Sequence, residues 1–142
     1  MKASAFGEII FEISPYESNF FLNNSDKVSL SIFSNELFFL SNIANFNGKS
    51  YYISALPDNF LKDYISRRLN EFKIKDYGIT FSKKGRHSIL FSEKETEFDK
   101  KDVFERRGSV FDNLLFEDLK FNNIFSKSDH FHLSTITPAL SY

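Results

Sequence analysis

The chain contains no cysteine. That excludes a disulfide frame and any cysteine metal site, and it accords with a cytoplasmic location. Glycine is scarce, at 5 of 142 residues, where average usage would supply roughly 10. Loops that cradle phosphate draw on glycine so that backbone can approach an anion, and this chain has little material for them. An excess of one charge is also missing: 18 basic residues face 19 acidic ones. Nothing in that balance recommends a nucleic acid or an anionic membrane as partner. Long hydrophobic runs are absent too. The N-terminal MKASAFGEIIFEI carries one lysine and an apolar run broken by Glu8. It lacks the apolar core of a signal peptide and is too short to span a bilayer.

Phenylalanine is abundant, at 19 residues. The length suits one domain with a core that needs no cross-links. Ser4–Ile13 reads as one strand, 14–19 as a turn, and Lys27–Phe33 as a half-exposed strand with alternating polarity. Ser34 is placed to cap a helix over Asn35–Phe46, with Leu37, Leu40, Ile43, Ala44 and Phe46 toward the core. Asn47-Gly48-Lys49 is a stop signal, followed by a strand at Ser50–Leu56. Asp58 is the expected cap of a second helix over Asn59–Phe72, with the stripe Phe60, Leu61, Tyr64, Ile65, Leu69 and Phe72.

Further strands are expected at YGITFS and HSILFSE, hinged at Lys83–Arg86, and at DVFERRGSV. The mixed-charge run at 93–102 reads as a solvated loop, Phe116–Phe125 as a weak helix, and Asp129–Ile136 as a last, buried strand. Strands alternating with helices imply a mostly parallel sheet covered by helices. The strands clustered in the middle imply a small second sheet.

Several fragments, in this order, resemble ribokinase-type sugar kinases of the PfkB family. Phe6–Ile10 (FGEII) looks like the family's first strand, and ISALPDNFLKDYISRRLNEFKI like its strand–loop–helix segment. GRHSILFSE and ERRGSVFDNL resemble the lid strands, while DHFHLSTITPALS is similar to a stretch typical of the 2-keto-3-deoxygluconate kinase branch. The resemblance covers the whole chain but only the N-terminal part of such an enzyme. It implies an α/β, ribokinase-like fold: a partial central, mostly parallel sheet with flanking helices, plus a small β-sheet lid. Residues 1–142 would be a single sugar and lid domain, with lid strands within 14–33 and 86–110 and the C-terminal ATP-binding half absent.

The chemistry implied is divided. Phosphoryl transfer needs a base for the attacking hydroxyl and donors for the transferred group. The family draws both from a Gly-Ala-Gly-Asp segment, and these 142 residues contain none. ATP and magnesium are therefore implied only for a complete family member, and this chain alone is expected to hold no cofactor or metal. On the sugar side, the family's Gly-Gly-Ala-Glu-x-Asn corresponds to FSNELF: Phe33 and Ser34 stand for the glycines, Glu36 matches, and Phe38 replaces the asparagine. Phe60-Leu61-Lys62 likewise replaces a Pro-Leu-Gly turn, and Thr135 replaces a glycine in the tail.

Arg106 corresponds to an arginine that reaches the substrate carboxylate, with Phe104 where a tyrosine is common. Arg106 and Arg107 alternate on the expected strand, so one of them faces the cleft. Arg106 is taken as that one, a solvated lid arginine being the other reading. Glu8 stands where the family often has a carboxylate near sugar hydroxyls, or is simply a strand-end acid. The candidate substrate residues are Arg106, Phe104, Glu8, Ser34, Glu36 and Leu90. His130 and His132 share a strand face but lack further metal ligands, so they read as packed side chains, and His87 as a surface lid residue. Two functions stay open. One is a divergent, non-catalytic part of a carbohydrate kinase with a possible sugar-acid ligand and a separate C-terminal half. The other is a stand-alone binding or assembly protein that kept the fold. An uncovered sheet edge implies a homo-oligomer or lid-mediated dimer.

Overall fold

A computed structural model describes residues 1–16, 21–94 and 100–139. In chain order the strands and helices are β1 (Lys2–Phe6), β2 (Ile10–Pro15), β3 (Val28–Phe33), α1 (Asn35–Asn45), β4 (Lys49–Pro57) and α2 (Leu61–Glu71). Then follow β5 (Ile74–Ser82), β6 (Ser88–Lys94), β7 (Lys100–Glu105), α3 (Phe121–Phe125), β8 (His130–Leu133) and the helical turn α4 (Ile136–Ala139). Parts of the expected turn at 14–19 and of the loop at 93–102 fall outside the described residues.

The apolar run Ser4–Ile13 is not one strand. It breaks at Gly7 into β1 and β2, which belong to different sheets. β1 lies in a parallel sheet of order β5-β4-β1-β8. β2 lies in a second sheet of order β3-β2-β6-β7, parallel to β6 and antiparallel to β3, with β7 antiparallel to β6. A Cβ on residue 7 would come within 3.0 Å of the Glu36 carboxyl group. The crossing between sheets therefore passes a point where only glycine fits. The second sheet holds the expected lid strands, but β2 begins at Ile10, ahead of the 14–33 window.

Alternation along β4 sorts the core into two layers. Tyr52 packs with Leu37, Leu40, Ile65 and Leu69 under α1 and α2. Ile53 faces the other way, against Phe121 and Ile124 of α3, with Phe6 and Tyr51 alongside. Helices thus lie on both faces, as a parallel sheet requires. Two expected core phenylalanines are solvent-exposed, Phe46 at 85% and Phe60 at 84%. α1 ends at Asn45, and the positive φ of Asn47 turns the chain away just beyond Phe46. α2 starts one residue after Phe60, and its Leu61 N–H is taken by Asn59 Oδ1 at 3.0 Å. The expected cap Asp58 instead pairs with Lys62 at 2.6 Å.

The expected strand at 102–110 stops at Glu105, because the chain turns through Gly108 at φ 74°. The weak helix at 116–125 is a 3-10 turn (Phe116–Asp118) followed by α3. The tail strand ends at Leu133 and gives way to α4. It is an edge strand rather than a buried one, with Phe131 and Leu133 exposed. Among the described residues, no helix is long and apolar enough to cross a membrane.

Candidate functional site

Where the two sheets meet, the loop after β1, the start of α1, the end of β7 and the segment after β8 enclose a cavity of about 140 Å3. Glu8, Ser34, Glu36, Phe104 and Arg106, five of the six candidates from sequence, line it. Leu90 does not: it is fully buried in β6, directly opposite Phe104 in the ladder. Phe33 lines the cavity in place of a family glycine, with its ring edge-to-face on Phe38.

Glu8 is buried and sits between lid and core. One carboxylate oxygen accepts from Ser88 Oγ at the start of β6. The other lies 2.9 Å from Arg106 Nε. The angle of that approach falls short of a hydrogen bond, so the contact is ionic and both atoms lack a hydrogen-bond partner. Burial pushes the Glu8 carboxyl above its ordinary range, opposed by the Ser88 hydroxyl and the Arg106 charge. The Arg106 guanidinium stacks over the Phe104 ring at 4.4 Å. Arg106 lies just past β7, so the strand alternation expected with Arg107 does not decide its direction; Glu8 and Phe104 do.

Glu36 is also buried, and its carboxylate is fully engaged. It accepts from Ser34 Oγ (2.9 Å), Ser134 Oγ (2.6 Å) and Thr137 Oγ1 (3.0 Å). The Ser134 N–H adds a fourth bond at 3.3 Å. Glu36 therefore ties the start of α1 to the segment after β8. Ser34 has the backbone of a helix cap, but its hydroxyl bonds Glu36 and the Tyr52 hydroxyl rather than a helix N–H. Burial, with the Glu36 charge second, pushes the Tyr52 phenol well above its ordinary range and keeps it neutral.

Sequence reasoning missed Ser88 and Tyr52, which carry no local signal, and Ser134 and Thr137, which lie in the tail stretch that resembles the kinases. Thr135 needs no glycine conformation, since the positive-φ non-glycine residues described are Asn47 and Lys73. His132 stacks on Phe39 at 4.2 Å. His87 is buried rather than a surface residue, packed on Phe11 and hydrogen-bonded to Asn59.

The donor set of this cavity does not fit ATP with magnesium. Two carboxylates and two aromatic rings line the cavity beside a single guanidinium, and the carboxylates would repel a triphosphate. Among the described residues no three His, Cys, Asp or Glu cluster to hold a metal.

A two-faced parallel sheet, a four-stranded β lid and a cavity between them define the class: this is the ribokinase-like fold of the PfkB sugar kinases. More particularly, the chain matches 2-dehydro-3-deoxygluconokinase from Thermotoga maritima over 100% of its length, with a TM-score of 0.91 and 27% identity. A candidate 2-keto-3-deoxygluconate kinase from Enterococcus faecalis matches 99% of the chain, with a TM-score of 0.88 and 24% identity. A PfkB-family carbohydrate kinase from Listeria grayi matches 99%, with a TM-score of 0.89 and 17% identity. The chain spans only 43%, 42% and 44% of those three proteins. No protein-family model and no curated protein sequence matches it.

Proposed function

We propose that this chain is the sugar-facing part of a PfkB-type carbohydrate kinase, and that its cavity takes a sugar acid of the 2-dehydro-3-deoxygluconate kind. The observation that carries this reading is Arg106. Its guanidinium lines the cavity, held at Nε by Glu8 and on one face by Phe104. The ion pair with Glu8 is made at Nε, at the opposite end of the guanidinium from its two Nη groups. A guanidinium held at its Nε end presents a fork suited to a carboxylate. The similar Thermotoga protein is a kinase of such a sugar acid.

Phosphoryl transfer lies outside these residues in this reading. Neither carboxylate on the cavity wall is free to serve as a base, one being engaged by Ser88 and Arg106 and the other by four donors. The transferring groups, with ATP and magnesium, would come from polypeptide corresponding to the unmatched part of the kinases. Calorimetric titration with 2-dehydro-3-deoxygluconate tests the binding claim. Saturable heat that disappears in Arg106→Met supports it, and no heat from the wild-type chain at millimolar ligand contradicts it. A coupled ADP assay tests the other claim, and ADP formed by the purified chain would overturn it.

A stand-alone assembly role is the second reading, and two observations favour it. The cavity, at about 140 Å3, is smaller than the roughly 300–1,000 Å3 usual for ligand pockets. Phe116, Phe125 and Phe131 also form an exposed aromatic face beside the open edge of β8. Such an edge and face favour self-association, so a homo-oligomer is part of either reading.

A further inference from the structure

We infer that Glu8 is a positioning residue for Arg106, and that it is what makes this cavity select a carboxylate over a neutral polyol. The inference rests on the sugar-acid reading above but is testable without it.

An arginine on a loop just beyond a strand has several rotatable bonds and no reason to hold one direction. Here two contacts remove that freedom. Glu8 Oε2 stands 2.9 Å from Nε, on the side of the guanidinium nearest the chain. The Phe104 ring lies under the guanidinium plane at 4.4 Å. The first contact, a short ion pair, holds the guanidinium at its Nε end, and the second holds it over the ring. At the far edge the two Nη groups can each donate to one oxygen of the same carboxylate.

Glu8 can do this because it is itself fixed. It is 6% exposed, on the short crossing between β1 and β2, and Ser88 of the lid anchors its other oxygen. A buried carboxylate beside a half-buried guanidinium also lowers the cost of keeping that cation in a site walled by Phe33 and Phe104. The pair joins core to lid: Glu8 belongs to the crossing, while Ser88 and Arg106 belong to the lid strands and their ends.

The test is Glu8→Gln, which keeps the size and can still bond Ser88. The side-chain Nε–H resonance of Arg106, identified by its loss in Arg106→Lys, reports positioning in the ligand-free chain. Titration with 2-dehydro-3-deoxygluconate and with a neutral polyol of equal length reports selection. The expected result is a shifted, faster-exchanging Nε–H signal in Glu8→Gln. Sugar-acid affinity should also fall about tenfold or more, with polyol affinity unchanged. An Nε–H signal identical to the wild type overturns the inference, as does a moved signal with unchanged sugar-acid affinity. If the wild type binds no sugar acid but the Nε–H signal still depends on Glu8, positioning stands and the ligand class of the preceding section fails. Should Glu8→Gln not fold, Ser88→Ala releases Glu8 from its other anchor, and its signal must move in the same direction.

Discussion

Gly7→Ala probes the point where the chain crosses from one sheet to the other. The added Cβ would fall within 3.0 Å of the Glu36 carboxyl carbon, one of its oxygens and the preceding methylene. An exposed glutamate would move aside. This one cannot do so freely, because Ser34, Ser134 and Thr137 hold its carboxylate through four hydrogen bonds. Overpacking a rigid site costs about 1–3 kcal/mol, and each hydrogen bond to a charged acceptor that is lost adds about 1.5–3 kcal/mol. With one such bond broken, the sum is about 3–4 kcal/mol. At about 2–4 °C per kcal/mol for a chain near this size, the midpoint falls by about 10 °C. Urea unfolding of the wild type, Gly7→Ala, Glu36→Ala and the double variant forms a cycle. If the clash is with Glu36, removing that side chain relieves it, and the two changes couple by more than about 1 kcal/mol. A Gly7→Ala variant within about 0.5 kcal/mol of wild type, or strict additivity, would refute the reasoning.

Phe33→Gly should enlarge the cavity and tighten sugar-acid binding several-fold in a calorimetric titration, at about 1 kcal/mol or more in stability from the strand glycine; unchanged affinity would mean that Phe33 does not limit the site. His87 is held neutral by burial, its pKa lowered from 6.5 to about 4. The unfolded chain therefore binds the extra proton between those values, and stability falls as the pH drops through that window, by up to about 3 kcal/mol. Urea midpoints at pH 4.5 and 7 should converge in His87→Gln, and an equal pH dependence in both proteins contradicts this. Light scattering at micromolar concentration should find an oligomer, weakened by Phe131→Asp on the exposed aromatic face; a monodisperse wild-type monomer contradicts that.

The helices were legible because α1 and α2 carry apolar stripes near a 3.6-residue period, and Asn47-Gly48 marks a true stop. The lid was legible as a cluster of strands with no helix between them. The split at Gly7 was not, because an apolar run reads as one strand whether or not its two ends pair with different neighbours. Ser34 obeys its backbone preference as a cap, but a buried carboxylate competes for its hydroxyl and wins. Phe46 and Phe60 fit the stripes by spacing alone, and the helices end or begin one residue short of them. In the site, motif matching found the residues with charge or with family counterparts, namely Glu8, Glu36 and Arg106. It could not find Ser88 or Tyr52, whose roles exist only once β6 and β4 are brought beside Glu8 and Ser34. Leu90 failed because its β-ladder position buries it beside a cavity residue without reaching the cavity.

The most direct measurement is a paired calorimetric titration of the wild-type chain and Arg106→Met with the sugar acid proposed above, without ATP. Saturable binding to the wild type alone is the predicted result. Equal binding to both proteins, or none to the wild type at millimolar ligand, would contradict it.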